Sequence, residues 1–121
     1  MKVEEITYLT DAVLITAVVP AGRADTILKA ALQAGASGGI VKLARGTGAR
    51  ERLGLLGIAV EAEKEVLSFV VPTDFQELIA GTIYRAGGLG APGAGYLYIT
   101  ALERLATYVP KEALERMAAQ E

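Results

Sequence analysis

Two segments hold the residues best suited to chemistry on a ligand. The first is "RGTGARER", Arg45 to Arg52, where Gly46 and Gly48 alternate with Arg45, Arg50 and Arg52. The second is "GGLGAPGAGYLYI", residues 87 to 99, where Gly90, Gly93 and Gly95 lead into Tyr96. Glycine-dense backbone can approach an anion closely and aim N–H donors at its oxygens. Arginine adds charged, two-pronged donors for phosphate or carboxylate. The chemistry these types offer is therefore anion binding. The same glycines also suit a plain turn that needs positive φ, and solvated arginines are common on surfaces. Spacing alone leaves both readings open.

Three further groups offer the same choice of readings. Glu61, Glu63 and Glu65 share one side of an extended segment and offer hard carboxylate oxygens, but such a run commonly forms a solvated edge, so no metal site is assigned. Tyr96 and Tyr98 alternate on one strand face and read as packing residues at the sheet or a subunit interface. Leu53, Leu55 and Leu56 stand within a glycine-rich loop beside Arg52. Exposed leucines there suit insertion into a partner surface or packing on a neighbouring subunit.

Composition removes other chemistries. Among 121 residues there is no cysteine, histidine, asparagine or tryptophan. Ser-His-Asp and Cys-His catalytic sets are excluded, as are the usual zinc sites. No convergent set of carboxylates, lysines, arginines or tyrosines emerges from the spacing, so an enzyme is not expected, and no cofactor is required. The net charge of −2 argues against nucleic-acid binding. No apolar run reaches the roughly 20 residues a membrane helix needs, and the start "MKVEEITYLT" lacks the pattern of an export signal. The cytoplasm is the expected compartment. With 52% hydrophobic residues and a mean hydropathy of +0.37, so small a chain implies burial between subunits.

The elements that must position these residues follow from periodicity. "DAVLITAVVP" reads as a strand, and "GRADTILKAALQAG" as a helix with Ala24, Ile27, Leu28, Ala31 and Leu32 on one side and Gly35 as its stop. "GGIVKLARG" is a second strand, residues 46 to 57 a loop, and "EKEVLSFVVP" a third strand. Thr73 and Gln76 make a capping box for a second helix ending at Gly87, with Phe75, Leu78, Ile79 and Ile83 along one side. "YLYITAL" is a fourth strand, and an amphipathic helix over 110–121 opens with Pro110 at its first position. The order predicts one domain over residues 1–121 of the α+β class, a ferredoxin-like βαββαβ sandwich with a C-terminal helix. Two helices cover only one sheet face, and the apolar residues on the other favour a second subunit there.

In this order three segments resemble the PII signalling family: "ASGGIVKLARGTG", "VVPTDFQELIAGTIYRAG" and "LGAPGAGYLYITALERL". The resemblance spans about residues 13 to 109. It implies a homotrimer with ligand clefts between subunits that take adenine nucleotides (ATP, ADP or AMP), and a mobile T-loop that docks on a target enzyme, transporter or regulator. Residues 46–57 correspond to that T-loop and 87–95 to the family's B-loop. The positions implied for the ligand are Gly46, Gly48, Gly90, Gly93, Gly95 and Tyr96, with Arg45 and Arg50 as neighbouring cations. The departures concern charge. Tyr96 stands where the family has a phosphate-binding lysine, and Thr107 and Val109 where it has a pair of arginines. This resembles a divergent branch, for which a monophosphate or a small anion such as bicarbonate asks less than ATP. A trimer of PII shape that has lost its ligand site, acting in assembly, is the alternative.

Overall fold

The computed structural model describes residues 5–46 and 62–119. Its centre is a four-stranded antiparallel sheet in the order β3–β4–β2–β5, made of β2 (Ala12–Pro20), β3 (Ile40–Gly46), β4 (Ala62–Pro72) and β5 (Tyr96–Leu102). Helices α1 (Ala24–Gln33) and α2 (Gln76–Gly87) pack on each other and on one face of it. The arrangement is the expected ferredoxin-like sandwich. Two short strands, β1 (Tyr8–Leu9) and β6 (Leu105–Ala106), pair separately, and α3 (Lys111–Ala119) ends the chain.

The core follows from strand alternation. Val13, Ile15, Ala17 and Val19 of β2 lie opposite Val71, Phe69, Leu67 and Glu65 of β4, so one face of both strands turns toward the helices. Ile27 and Ala31 from α1, and Ile79 and Ile83 from α2, close over it, all essentially inaccessible to water. Burial of each large side chain in this layer contributes about 1.5–3 kcal/mol. Gly39, just before β3, has a packing role: a Cβ there would lie 2.5 Å from Phe69 Cε1.

Among the described residues no helix covers the other sheet face. The register sets Lys42, Val66, Val18 and Tyr96 in one cross-strand row, and Ile40, Ser68, Thr16 and Tyr98 in the next. Tyr96 and Tyr98 stack with ring centroids 6.4 Å apart and planes 24° apart. They are 58% and 49% exposed, and Ile40 is 64% exposed. Large apolar groups left in water across a sheet face mark a surface made for another molecule.

Element boundaries depart from expectation at three points. The chain enters α2 through a 3-10 turn, Thr73–Phe75, and the Thr73–Gln76 capping box does not form: Thr73 lies three residues before the helix, and its N–H donates to the Asp11 carbonyl at 3.0 Å. Phe75, held in that turn, and Leu78, which projects from a different side of the helix than Ile79 and Ile83, are exposed. Gly88, not Gly87, is the left-handed stop of α2, with φ +61°. Pro110 precedes α3, and its carbonyl accepts the first helical hydrogen bonds, from the N–H groups of Ala113 and Leu114 at 3.0 and 3.1 Å.

Candidate ligand-binding site

The loop from Gly88 to Gly95 is built by hydrogen bonds and glycine conformations that leave specific donors unused. The N–H of Gly88 donates to the Arg85 carbonyl at 3.2 Å and that of Leu89 to the Tyr84 carbonyl at 3.0 Å, the paired bonds of a Schellman helix end. Two turns follow, Ala91 N–H to Gly88 O at 3.0 Å and Ala94 N–H to Ala91 O at 3.2 Å. Gly93 and Gly95 adopt φ +75° and +112°. A Cβ on Gly95 would also overlap the Val18 carbonyl oxygen, so the chain passes β2 too closely for any other residue.

Gly90, Gly93 and Gly95 share one property. Among the described residues their N–H groups make no backbone hydrogen bond, although the loop around them is pinned at both ends. Gly90 is exposed beside Tyr84, whose hydroxyl would lie 2.9 Å from an added Cβ. Three free N–H donors on a fixed loop are the chemistry of a small anion site. Tyr96, immediately after, turns onto the open sheet face and stacks on Tyr98.

Gly46 ends β3 opposite Ala62, and Arg45, opposite Glu63, is exposed. A Cβ on Gly46 would meet only Lys64 Cγ, at 3.9 Å, so neither space nor positive φ demands glycine there. Gly46 and Gly95 lie at the same end of the sheet but on opposite edges, β3 and β5. Three strand spacings of about 4.8 Å separate those edges by roughly 14 Å. Gly48, Arg50, Arg52, Leu53, Leu55 and Leu56 lie outside the described residues, as does Glu61. Thr107 stands at the other end of the sheet, beyond β6.

Two polar roles escape sequence reasoning. Glu65 is not a solvated edge residue: its Oε1 accepts from the N–H groups of Gly22 and Ala24, the latter at 3.2 Å, and so caps α1 from β4. Arg104 places its guanidinium carbon 4.7 Å from the Tyr8 ring centre, a cation–π contact beside the β1–β6 pair. Both partners are dozens of residues apart in sequence, so no local pattern announces them.

No protein-family model matches the chain, and no curated protein matches its sequence. Solved structures do. The crystal structure of Arabidopsis thaliana PII bound to citrate superposes with a TM-score of 0.62, at 21% identity, over 78% of this chain and 77% of that one. The chain carries a PII-like fold. At so low an identity the likeness speaks to architecture, and in that respect it agrees with the strand order found above. Among the described residues no helix is long and apolar enough to cross a membrane.

Proposed function

We propose that the protein is a non-catalytic PII-like regulator, one domain over residues 1–121, working as a homotrimer in the cytoplasm. It binds a small anionic ligand between neighbouring subunits and controls a target protein through residues 46–57. The observation carrying this reading is the set of uncommitted N–H groups at Gly90, Gly93 and Gly95 on a loop pinned by its own hydrogen bonds. The roughly 14 Å between sheet edges fits a cleft completed by a second subunit better than one within a single chain.

A small anion is favoured over a nucleoside triphosphate. Backbone amides compensate several negative charges poorly, and Tyr96, Thr107 and Val109 bring none of the charge a triphosphate asks for. The Arabidopsis PII structure holds citrate, a small polyanion, on the same fold. Arg45 and Arg50, which flank the other glycine segment at Gly46 and Gly48, are the cations proposed to supplement the loop. A ligand that orders residues 46–57 in one state would then alter affinity for the target, provided it favours that state. Arg52, Leu53, Leu55 and Leu56 are the proposed partner-facing residues.

Calorimetric titration with citrate, bicarbonate, AMP, ADP and ATP tests the reading. Saturable binding of a small anion or AMP, tighter than that of ATP, is expected. Absence of binding by all five at millimolar concentration would contradict it. The assembly-only trimer is favoured by one observation, that Gly88 and Gly95 are fully accounted for by backbone geometry without any ligand. It predicts trimers that bind none of the five compounds.

A further inference from the structure

We propose that α3 is an exchanged arm: in the assembled protein it seats in a groove of a second copy of the chain rather than on its own subunit. The groove, about 610 Å³, is lined mainly by apolar groups, among them Leu9, Val70, Pro72 and Leu105, with Asp11 and Thr107 as polar members. It lies at the end of the sheet away from the glycine loops.

Four observations lead here. First, α3 cannot stand alone. It has nine residues, and helices shorter than about 12–15 residues are marginal in water without packing. Yet among the described residues it packs substantially on no other element, and Lys111, Glu112, Leu114, Glu115 and Arg116 are exposed. Its sequence nevertheless repeats apolar residues at 113, 114, 117 and 118, the spacing of a docking face.

Second, its own groove is badly placed for it. Thr107 lies on the groove wall only three residues before Pro110. Proline fixes its own φ and biases Val109 toward extended backbone, and α3 does not pack substantially on that wall. Third, the groove continues into the uncovered sheet face, because Ala12 and Val70 belong to both. A neighbour seated on that face would bring its own α3 within reach. Fourth, one charge pair is available. Lys111 shares the side of α3 that carries Leu114, three positions on, and Asp11 stands in the groove.

This inference rests on the oligomer proposed above, and the chain's lack of cysteine allows a clean test of each. A full-length Thr10→Cys/Leu114→Cys variant is oxidised and run on a non-reducing gel, with light scattering of the reduced protein alongside. The expected result is a trimer by scattering, with most chains moving to covalent dimer and trimer bands that collapse on reduction. A trimer with free thiols, or with a link confined to single chains, overturns the arm exchange and leaves the oligomer standing. A monomer by scattering overturns both. Leu105→Cys/Leu114→Cys repeats the measurement from the opposite wall and must give the same ladder. Leu43→Cys/Leu114→Cys, with Leu43 at the sheet's far edge, must give none.

Discussion

Gly95 and Gly90 are five residues apart, yet the structure assigns them opposite roles, and substitution separates them. Gly95 combines φ +112° with an approach to the Val18 carbonyl that excludes any Cβ, so Gly95→Ala is expected to cost about 2–3 kcal/mol in urea denaturation. Gly90→Ala meets only the hydroxyl of Tyr84, an exposed side chain able to swing aside, and is expected to cost below about 1 kcal/mol. A glycine that is expendable for stability but carries a free N–H marks the part of the loop available to a ligand. Glu65→Ala removes the acceptor for two N–H groups at the start of α1, an expected loss of about 1 kcal/mol by the same assay. Equal stability of Glu65→Ala and the parent protein would show that the cap contributes nothing.

At the scale of elements, α2 gives the sharpest contrast. Ile83 is wholly buried against the sheet, while Leu78 on the same helix is 49% exposed. Ile83→Ala should therefore cost about 2–5 kcal/mol and Leu78→Ala under about 1 kcal/mol, read from urea midpoints at constant slope. Periodicity sets both along one side, but five residues at roughly 100° each leave Leu78 about 140° round the helix from Ile83, so only Ile83 faces the core. The strands were more legible. β-Branched runs ending at Pro20 and Pro72 define β2 and β4, and "YLYITAL" coincides with β5. The β1–β6 pair was not, because two-residue strands have no period to detect. The helix cap by Glu65 was hidden for another reason. It depends on the β2–β4 register that brings Glu65 beside Val19, which no local pattern contains.

For the molecule as a whole, the uncovered sheet face decides what one chain cannot do alone. Composition already implied that apolar surface must be buried between subunits, and the register places that surface around Tyr96, Tyr98, Ile40 and Val70. Tyr98→Glu is expected to yield a folded monomer by light scattering with unchanged circular dichroism, since the side chain lies outside the core. A trimer that survives this change would move the interface elsewhere. The site is legible in the sequence as glycine spacing, but which glycines serve the backbone and which leave donors free requires the hydrogen bonds of the folded loop. The most direct test of the ligand reading follows amide resonances while citrate, AMP and ATP are added to ¹⁵N-labelled protein. The account predicts saturable shifts at Gly90 and Gly93, larger for the small anion or AMP than for ATP at equal concentration. Resonances of Gly90 and Gly93 that stay fixed through all three titrations would contradict it.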